Sequence, residues 1–278
     1  MNQLYKIVGV SKQAVHQYAQ REQLFNNLVS DLVKEADELR HEHPGCGVEK
    51  MYYTLKPNFI GRDRFIELFM GLGFKIKKKM NYRRTTFSTS KCYPNLIKGL
   101  VINAPSMVWQ SDITYIAVGD RFYYAVFIID VYTKKIVGYQ VSDNMRATAN
   151  IKALQLALKE NKAPIIHHSD RGSQYIYEPY LEMLKLNACK ISMALNAQEN
   201  AYAERINRTI KEEYLSHWNP QNLEQLEKCV KKAVHHYNNK RKHNHLSKNT
   251  PIDFENNWFR NKTLPIPSFT IFDDRILN

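Results

Sequence analysis

A chain of 278 residues, 44% hydrophobic and 12% aromatic, can bury one large core or several small ones, which excludes global disorder. Its formal charge of +13 makes polyanions the first partners to consider, and the surplus is uneven: residues 1–108 hold 17 Lys/Arg against 9 Asp/Glu. No run reaches the length of a membrane span, the N-terminus lacks the apolar stretch of a signal peptide, and Cys46, Cys92, Cys189 and Cys229 form no CxxC pair, so reduced thiols in a cytoplasm are expected.

Residues 2–19, NQLYKIVGVSKQAVHQYA, break at Gly9-Val10 and restart at Ser11, a good N-cap. The spacing predicts two short helices with a tight turn, either a helix-turn-helix or an ordinary helical hairpin. A longer helix, Glu22–Glu42, is expected next. In GVEKMYYTLKPNFIGRDRFIELFMGLGFK (47–75) the pattern repeats as helix, Pro57-Asn58 turn and helix, with Gly71 and Gly73 as stop signals. Residues 75–98 carry eight basic side chains and no acid, interleaved with Tyr82, Phe87 and Tyr93. Such a stretch is a solvated linker or a strap that tracks a nucleic-acid backbone, with Lys77, Lys78, Lys79, Arg83 and Arg84 as phosphate contacts. His41, His43 and Cys46 have no second ligand pair at finger-like distance, so no zinc site is expected there. HHYNNKRKHNH (235–245) reads as a basic, partly exposed helix end.

Around residue 105 the periodicity changes. VWQSDITYIAV (108–118), FYYAVFIIDVY (122–132) and IVGYQV (136–141) are rich in β-branched and aromatic residues, with turns at Gly119-Asp120 and Thr133-Lys134-Lys135. An antiparallel meander follows from this, then a helix over 147–160, a strand over 164–168, a helix over 177–187, a strand over 191–195 and a strong helix from about Glu199 to Leu215. The pattern describes a mixed sheet flanked by helices. The expected organisation is 1–74 helical, 75–104 a basic linker, 105–218 an α/β core and 219–278 a helical, basic extension.

Three acids stand out. Asp112 interrupts a β-favouring run, where an unpaired carboxylate is costly to bury. Asp170 follows a strand in IIHHSDRGSQYI, as a simple cap on a glycine turn or as a member of a site. On ENAYAERINRTIKEEYL, Glu204, Arg208 and Lys211 share one helical face with Asn207 at its edge, opposite Ala203, Ile206, Ile210 and Tyr214. Two strand aspartates and a helix glutamate can hold two divalent cations for phosphoryl transfer. Glu199 is a rival for the third position, Asp130 competes from a hairpin turn where a structural role is expected, and His167 and His168 read as structural.

WQSDITYI, IDVYTKKIVG, HHSDRGSQY, NAYAERINRTIKEEYL and HHYNNKRKHNHLSKNTP, together with the front end GVEKMYYTL…RDRFIELFMGLGF, resemble the catalytic protein of IS-three family insertion sequences over nearly the whole chain. The resemblance implies a ribonuclease-H-like, retroviral-integrase-like core behind helix-turn-helix modules. It also implies a transposase that uses two Mg²⁺ or Mn²⁺ ions on Asp112, Asp170 and Glu204 to cleave element ends and join a 3′-hydroxyl to a new phosphate. Lys211 and Arg208 would then contact DNA. Implied partners are double-stranded DNA (terminal repeats and target), further copies of the chain on DNA, and the element's smaller helix-turn-helix protein. The implied location is the bacterial cytoplasm at the nucleoid. The Asp170–Glu204 spacing of thirty-three intervening residues is slightly shorter than the family's usual spacing. A DNA-binding regulator with an inactive core is the main alternative, and a nuclease on RNA–DNA hybrids a weaker one.

Overall fold

The computed structural model describes residues 11–76, 93–260 and 268–271, which divide into two compact units: residues up to Glu42 with Cys46–Lys75, and His43–Gly45 with the residues from Ile76 onward.

The first unit is all helical. Helix α1 (Lys12–Glu42) starts at Ser11, whose Oγ accepts the Ala14 N–H at 3.1 Å. It runs unbroken through residues 19–22, so the second short helix and the longer one expected after it are a single rod. Ala19-Gln20-Arg21-Glu22 are all strong helix formers, with neither glycine nor proline to stop propagation. The first short helix and its Gly9-Val10 turn lie outside the described residues, as do Lys77, Lys78, Lys79, Arg83 and Arg84 of the strap. Helix α2 (Val48–Leu55) ends on Lys56 in the left-handed conformation, and α3 (Arg62–Gly71) follows the Pro57-Asn58 turn. Leu32 and Ala36 of α1 close over Met51, Phe65 and Phe69, the last two stacked 4.1 Å apart.

In the second unit, β1 (Val101–Ile102) is followed by the meander β2 (Val108–Val118), β3 (Arg121–Asp130) and β4 (Ile136–Ser142). Then come α4 (Ala147–Glu160), β5 (Ile166–Ser169), α5 (Glu178–Leu186) and β6 (Lys190–Met193). Helix α6 (Ala201–Ile210) continues into a π-turn (Lys211–Leu215), and α7 (Leu223–Asn239), α8 (Pro251–Arg260) and β7 (Phe269–Thr270) complete the order. The five-stranded sheet is ordered β4-β3-β2-β5-β6, antiparallel across the meander and parallel from β2 to β5 to β6, while β1 pairs with β7. One face packs Trp109, Val126 and Ile128 against Ala153 and Leu154 of α4 and Tyr180 and Leu184 of α5. The other packs Phe127 and Ile129 against Ala203, Ile206 and Ile210 of α6 and Val230, Ala233 and Tyr237 of α7. Full burial of Ile206 and Ile210 contributes about 2 kcal/mol each.

Asp130 is a turn clamp. Its carboxylate accepts the Thr133 N–H at 2.8 Å, the Thr133 hydroxyl at 3.0 Å and the Ser106 N–H at 2.6 Å. Residues beyond 219 join the same unit: the Asn238 amide brackets the backbone of Ile136, accepting its N–H and donating to its C=O, both at 2.9 Å. The HHYNNKRKHNH stretch is a partly exposed helix end with a buried side. His236 and Asn238 are buried, and Arg241 makes a bidentate bond to Glu213, both contacts at 2.7 Å. Glu213 also takes His43 Nε2 at 2.7 Å.

Helix α4 approaches the sheet closely at Gly138 on β4, where an added Cβ would lie 2.3 Å from the Ala153 carbonyl oxygen. Gly138→Ala therefore forces α4 off the sheet and should cost about 1–3 kcal/mol in denaturant unfolding. An unchanged midpoint would show that this contact is loose.

Candidate active site

The first two acids are brought together by strand register. Parallel pairing runs from Val108 opposite Ile166 to Ser111 opposite Ser169, and the next residues in that register are Asp112 and Asp170. Neighbouring strands lie about 4.8 Å apart, so the two carboxylates start from adjacent backbones. β5 ends at Ser169 whereas β2 continues to Val118, so the acids sit where the sheet splits open. Asp170 is also a local cap: its Oδ1 accepts the Gly172 N–H at 3.0 Å. The capping reading of that stretch therefore holds, and the register leaves the same carboxylate beside Asp112.

Even-numbered residues of β2 face α6. Asn207, buried on α6, donates to Asp112 Oδ2 at 2.7 Å. Glu204 lies one turn earlier at the exposed side of the helix, its proton affinity raised by partial burial, with Arg208 lowering it and Asp170 raising it further. Burial, and then the charges of Asp170 and Glu204, push the Asp112 carboxyl up to about 8. Burial raises Asp170 as well. Lys211 opens the π-turn and is lowered by burial, while Asp112 pulls its affinity for a proton upward. Arg208 is exposed on the same side of the helix. Asp112, Asp170, Glu204 and Lys211 thus form one electrostatic group.

The rivals are engaged elsewhere. Glu199 Oε2 accepts the Leu195 N–H at 2.6 Å, folding that carboxylate onto its own loop. His167 bonds Tyr180 at 2.9 Å and His168 bonds Ser192 at 2.8 Å, and both rings are buried with lowered proton affinity, to about 3 and about 4. Sequence periodicity set Asn207 at the edge of the Glu204 face, and its direct bond to Asp112 went unrecognised. The signal was its helical offset from Glu204, three residues on the same side. Gln110 carries no such signal beyond strand alternation, which puts it on the face of Asp112.

Oxygen-only carboxylates suit hard divalent cations such as Mg²⁺ or Mn²⁺. Burial, together with the neighbouring charges of Asp170 and Glu204, raises the Asp112 carboxyl, and a bound cation would relieve that environment. Among the described residues no three His, Cys, Asp or Glu side chains stand close enough to grip an ion as they are. Glu204, the exposed member, has the rotamer freedom to close the set.

A mixed sheet of this order, helices on both faces and acids at the split between its antiparallel and parallel halves define a ribonuclease-H-like integrase core. Two families described as integrase core domains match residues 102–197 and 188–251. An uncharacterized 31 kDa protein of insertion element IS600 from Shigella sonnei is 31% identical over 265 residues, covering 91% of this chain and 97% of that one. The transposase for insertion sequence element IS904 from Lactococcus lactis is 31% identical over 255 residues, covering 87% and 98%. The HTLV-2 integrase catalytic core domain in complex with magnesium is 20% identical with a TM-score of 0.47, covering 57% of this chain and 99% of that one. The chain belongs to the insertion-sequence transposases of IS-three type.

The acid cluster has a pH signature. Asp112 holds its proton more tightly folded than unfolded, so its contribution to stability is complete below about 4 and is lost as pH rises through about 8. In chelator, the protein should melt at a lower temperature at pH 8.5 than at pH 6, and Asp112→Asn should flatten that slope. A slope equally steep in Asp112→Asn would place the titrating group elsewhere.

Proposed function

We propose that this chain is a DDE-type transposase that cleaves the ends of an insertion sequence and transfers their 3′-ends into target DNA. The observation that carries the reading is the convergence of Asp112 and Asp170 through one parallel register, with Glu204 delivered to them by α6. Asp112, Asp170 and Glu204 would hold two Mg²⁺ or Mn²⁺ ions. Bound there, these would supply Lewis-acid stabilisation of the attacking and leaving oxygens. In strand transfer a 3′-hydroxyl oxygen forms a new P–O bond, its proton is taken up, and the target phosphodiester releases its own 3′-oxygen.

The remaining side chains orient the reactants. Asn207 fixes the Asp112 carboxylate. Lys211, partly buried at the acid cluster, holds the terminal phosphate in line, and Arg208 with the strap residues Lys77, Lys78, Lys79, Arg83 and Arg84 makes sequence-independent phosphate contacts. The partners on this reading are double-stranded DNA (terminal repeats and target), further copies of the chain, and the element's smaller helix-turn-helix protein, at the nucleoid of a bacterial cytoplasm. No helix among the described residues is long and apolar enough to cross a membrane.

Asp112→Asn, Asp170→Asn and Glu204→Gln should each lower joining of end DNA by roughly three orders of magnitude while leaving DNA affinity within about twofold. Glu199→Gln should be mild. Full joining by all three acid variants would place the catalytic acids elsewhere, and a parent chain that binds end DNA but does not join it in magnesium would leave a DNA-binding regulator as the better reading.

Lys211→Ala should lower joining by about ten- to a hundredfold without changing metal affinity, with Lys211→Arg partly restoring it. A parental joining rate in Lys211→Ala would make this residue ordinary surface charge.

A further inference from the structure

An α-helix leaves its first N–H groups without intrahelical partners, and a side chain of the N-cap residue commonly takes one of them. Helix α6 has no such cap: its N-cap residue is Asn200, whose amide donates instead to the Ser111 carbonyl at 3.0 Å. The orphaned donors are met from the sheet. Gln110 Oε1 accepts the N–H groups of Tyr202 at 3.2 Å and Ala203 at 3.3 Å, while its Nε2 donates to the Glu199 carbonyl at 3.3 Å. Gln110 is completely buried, and it stands in register with His168 on β5 and, one strand further, Ser192 on β6, both also completely buried. The amide has no room to swing away.

We infer that Gln110 is a positioning residue for the third carboxylate. It lies two residues before Asp112 on the same face of β2, and the helix turn it holds ends immediately before Glu204. One strand therefore carries the first acid and the anchor of the helix that bears the third. The Asn207–Asp112 bond, on the far side of Glu204, is the second tie. Together these bonds tie α6 to β2 at two points, and a tilt of about 10–20° is enough to take a carboxylate out of productive geometry. The chemistry explains why the residue is glutamine. The locus needs an acceptor for two N–H groups and a donor for one carbonyl on a single side chain. Ionised glutamate accepts but cannot donate, and methionine fills the space and does neither.

This inference rests on the transposase reading of Glu204, and the test separates the two. Gln110→Met and Gln110→Glu in the full chain are compared with the parent for joining of end DNA, for magnesium affinity by calorimetry and for amide hydrogen exchange at Tyr202 and Ala203. Gln110→Met should weaken magnesium binding and slow joining by about tenfold or more, and should speed exchange at both amides. Gln110→Glu should protect those amides better than Gln110→Met yet still bind magnesium more weakly than the parent. Gly138→Ala, which strains the opposite face, should lower the melting temperature without moving magnesium affinity, so a general loss of stability is told apart. If Gln110→Met does not fold, Gln110→Glu decides on the same readouts. A competent parent with an equally competent Gln110 variant would overturn this inference alone. A parent that neither joins DNA nor takes up magnesium would overturn the transposase reading and this inference with it.

Discussion

Two carboxylates on adjacent parallel strands repel each other, and a chain that places them there must hold them by other means. In this protein the means is the β2–β5 ladder, whose four paired positions end immediately before Asp112 and Asp170. Shifting β5 by one residue would turn Asp170 to the opposite face and expose the buried row beneath it. That row, Gln110, His168 and Ser192, is polar and solvent-free, so each member is tied by hydrogen bonds that a slipped register would break. The cores on the two faces of the sheet supply the burial that offsets the electrostatic cost. Burial of Asp112, with the charges of Asp170 and Glu204 beside it, leaves its proton affinity raised, an environment that a bound divalent cation would relieve.

Helix α6 is the second half of the device. Its apolar stripe packs on the sheet, its first turn is held by Gln110, and its middle is held by Asn207. Beyond Ile210 the helix widens into a π-turn, where the Glu213 carbonyl accepts the Gly45 N–H at 2.7 Å. Gly45 has no room for a side chain there, since an added Cβ would lie 2.2 Å from the Glu213 backbone. The Glu213 carboxylate, bound by Arg241 and His43, anchors the same turn. Buried ion pairs of this kind contribute little net stability but fix geometry when every lone pair is met. Lys211 opens this π-turn, so its approach to Asp112 depends on contacts made by residues outside the acid motif.

Much of the fold was legible from local signals. The meander followed from β-branched runs and their turns, and α4 begins and ends where its apolar spacing and flanking residues put it. The stripe Ala203, Ile206, Ile210, Tyr214 is buried as its period required. The expected break near residue 20 is absent, because a change of pattern within good helix formers is no stop signal. The strong helix expected to reach Leu215 changes to a π-turn at Lys211, and no local pattern announces that change.

The sequence by itself determined where strands and helices lie, which residues turn inward, and that Asp112, Asp170 and Glu204 carry charge at places where packing alone would not put it. Periodicity, turn chemistry and capping are properties of a few neighbouring residues, so they survive without the rest of the chain. Only the tertiary structure decided that Asp130 clamps a turn, that Glu199 folds onto its own loop, and that Gln110 and Asn207 hold the helix that bears Glu204. Those outcomes depend on strand register and helix placement between residues far apart in the chain, and no local pattern encodes which distant donor an acceptor will meet.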